Sequence, residues 1–405
     1  MKRRWPRWSE FRGLIRLQPP RLSRSARIES AATVWDLRKM AMRRTPRAAF
    51  DYTDGGAGDE ITLRRSREIY SRVEFDPSVL RDVSTIETST TLLGRPSSLP
   101  LALSPTGFTR MMHAEGEPAV GASAAEAGIP YTLSTLGTTS IEDLHLAVPN
   151  GNHWFQLYVW KDRAFSMDLV ERARRQRYSA LVLTVDVPVA GARLRDVYNG
   201  LTIPPNLSLK TVANAAVHPS WWWDLFTTEP LSFASLKSSS GTVAELIDRV
   251  FDPSVTFDDV AWLKETWNGP IVVKGIQNVQ DAISAVERGA DALVVSNHGG
   301  RQLDRAPTTL ELLPKIANAV GDRCEVYVDG GIMSGADIAA AVASGARAAM
   351  IGRAYLYGLM AGGRAGVDRA LEILRTEYVR TLQLLGVPST SDLDHSRVRL
   401  RSRSD

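Results

Sequence analysis

Cysteine and long apolar runs are the scarcest features of this chain. Its 405 residues include one cysteine, Cys324, which excludes an intrachain disulfide framework and a cysteine-rich zinc site. A reducing, cytoplasmic setting is therefore expected. No run of 18 or more apolar residues occurs, so no membrane-spanning helix is predicted. The start, MKRRWPRWSEFRGLIRLQ, is basic but lacks the apolar stretch and cleavage site of a secretory signal.

Positive charge is concentrated at the amino terminus. Residues 1–30 carry an excess of +7, whereas the whole chain carries +4. The rest of the chain is therefore slightly acidic, and a nucleic-acid-binding face on the folded body is not expected. We predict a basic amino-terminal arm over residues 1–32, a folded body over 33–393 and a basic carboxyl-terminal tail over 394–405.

Eight short apolar runs have the length and composition of buried strands. They lie at 100–107, 129–137, 153–160, 180–188, 270–276, 292–300, 325–332 and 348–356. Because helix-compatible segments separate them, the pattern predicts an α/β protein that forms a single (β/α)8 TIM barrel. A doubly wound open sheet is the alternative. PTGFTR (105–110) does not supply the glycine-rich phosphate turn of such a sheet, and no P-loop occurs elsewhere.

One connection is unusually long. The fourth and fifth strands begin about 90 residues apart, which predicts an insertion over roughly 197–260 that includes HPSWWWDLF (218–226). A connection of this length in a compact barrel usually serves as a lid or a binding element. The alternative is a loop that only packs over the barrel.

Polar side chains follow seven of the eight strands, at ends that share the mouth of such a barrel. Asp186 and His298 can meet there as a base and the carboxylate that orients it. Arg193 and Arg301 supply guanidinium groups suited to a carboxylate substrate. The other strand ends carry Ser134, Thr135, Gln156, Tyr158, Thr184, Lys274, Ser296, Asn297, Asp329 and Arg353. Each residue alone has an ordinary explanation as a cap or an ion pair, but together they indicate a polar ligand.

The last two strands indicate a phosphate site. VDGGIMSGAD (328–337) and IGRAYLYG (351–358) follow strands seven and eight. Barrels of this type commonly bind phosphate there, through loop amides and a helix N-terminus. Arg353 would supply the positive charge.

With these residues assembled, the chain resembles the FMN-dependent 2-hydroxy-acid dehydrogenase family, especially its bacterial L-lactate dehydrogenases of the quinone or cytochrome type. The resemblance extends from about Thr33 to Leu393, and SNHGGRQLD (296–304) is the family's active-site signature. Supporting motifs are AAFDYTDGGAGDE (48–60), SPTGF (104–108), FQLYVWKDR (155–163), LTVDVPVAGARLRD (183–196) and VVKGI (272–276).

The resemblance implies FMN as the cofactor and oxidation of an L-2-hydroxy acid, L-lactate to pyruvate first, with electrons passed to quinone or another carrier. It implies a homotetramer. His298 would be the catalytic base, assisted by Asp186, Tyr158 and Lys274. The implied substrate ligands are Tyr52, Tyr158, Arg193, His298 and Arg301. The implied FMN contacts are Thr106, Gly107, Ser134, Gln156, Thr184, Lys274, Ser296, Asp329, Gly331, Gly352 and Arg353.

Three positions depart from the family pattern. Met333 stands where an arginine that contacts FMN is expected, which would remove one cofactor contact. Leu136 replaces a tryptophan of glycolate oxidase and suits lactate better than glycolate. Gly107 replaces a common alanine beneath the flavin and leaves the reactivity towards oxygen open. Two alternatives therefore stay open, namely a soluble oxidase or monooxygenase that uses oxygen, and a catalytically inactive barrel that binds flavin or a carboxylate.

The electron acceptor bears on the role of the arm. No NAD fingerprint occurs, and the residues before the barrel are too few for the haem domain of cytochrome b2. Trp8, Phe11 and Ile15 have helical spacing among arginines, which is typical of an interfacial helix on anionic lipid. Trp221–Trp223 in the insertion would add a second contact. The alternative for both segments is packing on the barrel or on another subunit.

Overall fold

Eight parallel strands form a closed barrel in the computed structural model of this protein. The structure describes Trp5, Arg7, Trp8 and residues 23–200, 217–236 and 251–402. The described strands are β1 (Val73–Phe75), β2 (Thr90–Leu92), β3 (Arg95–Ser97), β4 (Leu101–Leu103), β5 (Tyr131–Ser134), β6 (His153–Leu157), β7 (Ala180–Thr184), β8 (Ile271–Ile276), β9 (Ala292–Val295), β10 (Glu325–Val328), β11 (Ala348–Ile351) and β12 (Val398–Leu400).

The barrel consists of β4 to β11 in chain order, closed by pairing of β11 with β4. Each of its strands lies within one of the eight apolar runs, so the predicted TIM barrel is confirmed and the open sheet is excluded. Along each strand, successive side chains lie alternately inside the barrel and in the core between the barrel and the helices, and both places are apolar. In β7, for example, Val182 packs inside the barrel and Leu183 packs in the outer core towards the helices. Burial on both faces explains why these runs are apolar throughout.

Helices cover the barrel. They are α1 (Arg24–Glu29), α2 (Val34–Arg44), α3 (Arg47–Asp54), α4 (Ile61–Glu68), α5 (Thr109–Met112), α6 (Gly116–Glu126), α7 (Ile141–Ala147), α8 (Arg163–Arg175), α9 (Leu194–Tyr198), α10 (Pro219–Thr227), α11 (Phe257–Trp267), α12 (Val279–Glu287), α13 (Thr309–Val320), α14 (Gly335–Ala343), α15 (Arg353–Gly362) and α16 (Arg364–Leu385). Capping boxes start three of them, at Thr33, Thr256 and Ser334. In each, an aspartate at the third helical position completes the box.

The four short strands lie outside the barrel. Strands β2 and β3 form an antiparallel hairpin, and Leu92 of that hairpin packs against the residues inside the barrel. The backbone N–H of Leu93 donates to Glu325, the first residue of β10. The hairpin therefore closes the end of the barrel at which the strands begin, which leaves the opposite end for a ligand.

Both predicted tails include segments that pack on the barrel. Ile28 of α1 is buried and packs closely on Gly362 of α15. A Cβ atom at position 362 would lie only 2.1 Å from Cδ1 of Ile28. At the other terminus, β12 pairs with β1 in antiparallel register. The domain boundaries at residues 32 and 393 stay a prediction, but residues 24–29 and 398–400 are ordered parts of the body.

The long insertion follows β7, the fourth strand of the barrel, as predicted. The described part of it includes α9 and α10, while residues 201–216 and 237–250, like Phe11 and Ile15 of the predicted arm helix, lie outside the described residues. Helix α10 is attached to the barrel through Trp221, whose indole N–H donates to the carbonyl of Met111 at 3.0 Å. Among the described residues, no helix has the length and apolarity needed to cross a membrane.

Candidate active site

A histidine and an aspartate from separate loops meet at the mouth of the barrel. His298 follows β9 in a single 3-10 turn, with a φ of 57° that a residue other than glycine rarely adopts. Its Nδ1 atom lies 2.9 Å from Oδ1 of Asp186, which follows β7. Burial raises the pKa of the Asp186 carboxyl, but the charges of His298 and Lys274 and the hydrogen bond from His298 bring that pKa below its ordinary value. Because the ionised aspartate accepts a hydrogen bond from Nδ1, the other ring nitrogen of His298, Nε2, is available to bind a ligand.

A buried ammonium group lies beside this pair. Lys274 of β8 contacts Asp329 Oδ2 at 2.9 Å and donates to Ser296 Oγ at 2.9 Å. Burial lowers the pKa of Lys274, but the carboxylates of Asp329 and Asp186 more than offset this effect, so the pKa is raised. The site therefore contains a fixed positive charge that can stabilise negative charge on a bound group.

Arg301 is held by the backbone of α3 and the loop that follows it. Its guanidinium donates to the carbonyls of Tyr52 and Gly55, and it lies over the Tyr52 ring, 5.0 Å from the centroid. Burial and the neighbouring charge of Arg193 lower the pKa of Arg301 to about 10. Arg301 is therefore still a cation at neutral pH and can bind an anion.

Arg193, in the loop after β7, approaches the ring of Tyr52 as well. Its guanidinium lies 5.7 Å from the Tyr52 ring centroid, and its Nε atom lies 3.7 Å from Asp196 Oδ2. Burial raises the pKa of the Asp196 carboxyl, while the charges of Arg193 and Arg301 partly oppose that rise. Two guanidinium groups on one aromatic ring form a site for a carboxylate.

The hydroxyl of Tyr158 belongs to the same surface. Burial and the nearby Asp186 and Tyr52 side chains raise its pKa, so Tyr158 stays neutral and can donate a hydrogen bond. Its ring packs edge-on against Phe251 at 5.3 Å. The substrate-binding residues implied by the resemblance are thus brought together around His298.

The loops after β10 and β11 line the other end of the site. Arg353 donates to three backbone carbonyls, those of Thr53, Gly299 and Gly55, at 2.7–2.9 Å. In the preceding loop, Asp337 accepts from the backbone N–H groups of Met333 and Ser334. Arg353 therefore holds three loops together as well as facing the cavity, and Met333 supplies an apolar wall where the family pattern has an arginine.

His298, Lys274, Arg193, Arg301, Tyr52, Tyr158, Met333 and Arg353 all border one cavity of about 210 Å³. Among the described residues, four buried polar atoms of its lining have no hydrogen-bond partner in the protein: Ser104 Oγ, Gln156 Nε2, Thr184 Oγ1 and Asp329 Oδ1. Unsatisfied buried polar atoms are uncommon in folded proteins and indicate a missing polar ligand. These donors and acceptors, at the ends of β4, β6, β7 and β10, are suited to the oxygens and nitrogens of FMN.

Most of the predicted site residues line this cavity, and four do not. Thr135 donates to the carbonyl of Gln156 and Asn297 donates to the Ser66 hydroxyl, both outside the lining. The predicted residues in the lining are Tyr52, Thr106, Gly107, Ser134, Gln156, Tyr158, Thr184, Arg193, Lys274, His298, Arg301, Asp329, Gly331, Gly352 and Arg353. Asp186 lies behind His298. Ser296, predicted as an FMN contact, lies behind Lys274, and its hydroxyl accepts from both the lysine and the His298 backbone N–H.

Sequence reasoning missed several residues of the site. Phe251 and Val187 contribute apolar lining, and the side-chain amide of Gln302 donates to the carbonyls of Asp186 and Val189. Gln302 belongs to the SNHGGRQLD motif, so its place in that motif was an available signal. Phe251 had none, because an isolated phenylalanine in a long insertion matches no motif.

Comparisons with known proteins agree with this geometry. Residues 41–400 match the family model described as FMN-dependent dehydrogenase. The chain is 56% identical to a provisionally named L-lactate dehydrogenase of Mycobacterium tuberculosis, over 98% of this chain and 96% of that one. It is 40% identical to an L-lactate dehydrogenase of Caulobacter vibrioides, over 89% of this chain and 96% of that one.

A solved structure supports the same assignment. The chain superimposes on the monotopic membrane protein (S)-mandelate dehydrogenase with a TM-score of 0.89 and 36% identity, over 92% of this chain and all of that one. The residues that match the family model, 41–400, include the whole barrel and the residues at its mouth. The chain therefore belongs to the FMN-dependent dehydrogenase family, and its cofactor is FMN.

Proposed function

We propose that this protein oxidises L-lactate to pyruvate and passes the electrons to a quinone or another carrier. The observation that carries the proposal is the 2.9 Å contact between His298 and Asp186 beside two arginines in one cavity. A carboxylate bound by Arg193 and Arg301 would bring the neighbouring 2-hydroxyl group towards the imidazole. That arrangement suits removal of the hydroxyl proton by a general base.

Each residue has a distinct part in this proposal. Nε2 of His298 accepts the hydroxyl proton, and the ionised Asp186 stabilises the imidazolium that results. Tyr158, held neutral by its raised pKa, donates a hydrogen bond to the substrate. FMN, when bound, supplies the two-electron acceptor. Lys274 and the donors Gln156 and Thr184 would hold its ring, with Asp329 and Arg353 towards its ribityl and phosphate groups.

The choice of L-lactate has support from two directions. The relatives at 56% and 40% identity are named as L-lactate dehydrogenases. The apolar side chains that line the cavity next to His298 are also suited to a small alkyl group, with Leu136 in place of the tryptophan of glycolate oxidase. The solved (S)-mandelate dehydrogenase shows that a related barrel takes an aromatic acid, so the substrate needs a direct test.

Anaerobic titration of the purified protein provides that test. The flavin absorption band should bleach with L-lactate at lower concentrations than with glycolate or (S)-mandelate, and D-lactate serves as the stereochemical control. Preference for mandelate or glycolate would overturn the assignment to lactate. A protein that binds FMN but responds to no 2-hydroxy acid would instead be the catalytically inactive barrel.

For the electron acceptor and location, we propose a peripheral dehydrogenase at the cytoplasmic face of the membrane. Trp223 and Phe226 of α10 are 70% and 72% exposed, and Trp5 and Trp8 of the basic arm are exposed as well. Exposed aromatic residues near basic ones are typical of interfacial binding.

The homotetramer that the family resemblance implies stays a prediction, and analytical ultracentrifugation would test it.

Co-sedimentation with anionic liposomes tests the membrane contact. The paired substitution Trp223→Ser and Phe226→Ser, and deletion of residues 1–22, which spares α1, should each reduce the bound fraction. Leu146→Ser on α7 is the matched control, because Leu146 is 81% exposed in another part of the surface. If no form binds, and oxygen reoxidises the flavin as fast as a quinone does, the protein is a soluble oxidase.

A further inference from the structure

The segment that carries Arg193 is not held in place by apolar burial. Its helix α9 has no buried residue. Val189, Val197 and Tyr198 are 64%, 71% and 74% exposed. A segment without an apolar anchor keeps one position only if polar contacts fix it.

Among the described residues, the side chain of Arg195 makes three of those contacts, all to carboxylates. Arg195 donates to Asp54 Oδ2 at 3.0 Å, to Asp51 Oδ1 at 3.4 Å and to Glu60 Oε2 at 2.6 Å. Other contacts support it, including a hydrogen bond from the Gly191 N–H to Gln302 Oε1 at 3.0 Å. Asn199 donates to Asp51 at 2.8 Å, and the backbone N–H of Gly58 donates to the carbonyl of the segment's residue 192 at 2.9 Å.

The acceptors of Arg195 are themselves fixed. Asp54 is buried and accepts from Nε and Nη2 of Arg38 at 2.7 and 2.9 Å, and from the Tyr357 hydroxyl at 2.7 Å. Asp54 belongs to α3, two residues after Tyr52. Arg195 therefore connects the exposed segment to the same rigid helix that places Tyr52 in the active site.

The contacts of Arg195 act against the electrostatic repulsion between Arg193 and Arg301. Arg193 and Arg301 both lie over the Tyr52 ring, and two like charges at one site repel until an anion binds. Arg301 cannot retreat, because its guanidinium is bonded to backbone carbonyls. Among the described residues, the ion pair of Arg193 is with Asp196 of its own segment at 3.7 Å, which does not attach that segment to the barrel.

We propose that Arg195 is a positioning residue that holds residues 191–198 against α3 and thereby keeps Arg193 beside Tyr52 and Arg301. The inference rests on the proposed function, since it assumes that these two arginines bind the substrate carboxylate. Arg195 itself would not touch the substrate, because its donors are directed to Asp51, Asp54 and Glu60.

Binding of oxalate to the FMN-loaded protein, measured by calorimetry, is the first test. Arg195→Gln should weaken binding about tenfold, and Arg195→Lys should restore part of that loss. FMN content should not change in either variant. Arg172→Gln is the matched control, because Arg172 also forms a two-pronged ion pair, with Glu142 on the outer wall, and should leave binding unchanged.

A double variant separates positioning from general destabilisation. Once Arg193 is removed, its position no longer matters, so Arg193→Gln combined with Arg195→Gln should bind oxalate as weakly as Arg193→Gln alone. Losses that add independently, or unchanged binding in Arg195→Gln, would overturn the proposal.

Limited cleavage by chymotrypsin gives a readout that does not depend on substrate. Arg195→Gln should accelerate cleavage after Leu194 and Tyr198 several-fold, in contrast to Arg172→Gln. If the unmodified protein bound neither oxalate nor any 2-hydroxy acid, the proposed function would fail, whereas the cleavage rates would still report on Arg195. Equal cleavage rates in Arg195→Gln and the unmodified protein would contradict the fastening role.

Discussion

The two arginines at the carboxylate site are supported in opposite ways. Arg301 lies on the partly buried turn after β9, which is also fixed where Asp304 accepts from the backbone N–H groups of Asp59 and Thr62. Arg193 lies on an exposed segment attached through ion pairs. The comparison teaches that one side of the site is built into the core, whereas the other depends on polar contacts that can open without unfolding the barrel.

The largest expected effect comes from removing the base on the buried side. His298→Gln should slow anaerobic flavin reduction by L-lactate roughly 100- to 10,000-fold while FMN stays bound. Stopped-flow absorbance measures the rate, and the flavin-to-protein absorbance ratio measures retention. Reduction at a near-normal rate in this variant would show that another group takes the proton.

The next effect separates the two arginines directly. Arg301→Lys should weaken L-lactate binding roughly 100-fold, since a point charge cannot replace the planar fork. It should also lower the free energy of unfolding by about 1–3 kcal/mol, because the carbonyl of Tyr52 loses its donor and that of Gly55 keeps only Arg353. Arg193→Lys should weaken binding roughly tenfold and leave stability nearly unchanged. Urea unfolding and calorimetry measure the two quantities. Equal losses of stability in Arg301→Lys and Arg193→Lys would contradict the difference in how the two arginines are supported.

A buried histidine away from the mouth of the barrel predicts how the stability of the core depends on pH. Burial and the neighbouring Arg44 and Arg24 lower the pKa of His113 to about 3, from an ordinary 6.5. The unfolded chain therefore takes up the proton first. The stability present above pH 6.5 falls as the pH decreases, by about 2 kcal/mol at pH 5.

Urea unfolding at pH 7 and pH 5 tests this expectation. His113→Gln should show a smaller loss between the two pH values than the unmodified protein, while His145→Gln on α7 serves as the control. An unchanged pH dependence in His113→Gln would mean that other groups cause the acid sensitivity.

The smallest effect concerns the residue that joins the two regions. Gln302 belongs to the turn after β9 but donates to Val189 of the exposed segment and accepts from the Gly191 N–H. Gln302→Met should raise the KM for L-lactate about two- to threefold and leave kcat nearly unchanged, because Arg195 still holds the segment. A loss larger than that of Arg195→Gln would make Gln302 the main fastening.

The sequence by itself determined the local features of this protein. The strands are buried on both faces and are therefore apolar throughout, so their runs could be found without the structure. The barrel followed from their alternation with helices, and SNHGGRQLD identified the family because its chemistry is concentrated in nine consecutive residues. The ends of parallel strands share one mouth, which is why the meeting of Asp186 and His298 could be predicted.

Only the tertiary structure decided contacts that join distant segments without a periodic pattern. Examples are the pairing of β1 with β12, the place of Ser296 behind Lys274, and the three carboxylates around Arg195. In the sequence, Arg195 is one of 49 basic residues, and its partners lie about 140 positions away. Its role depends on how α3 and the loop after β7 pack against each other, and that packing depends on the whole barrel.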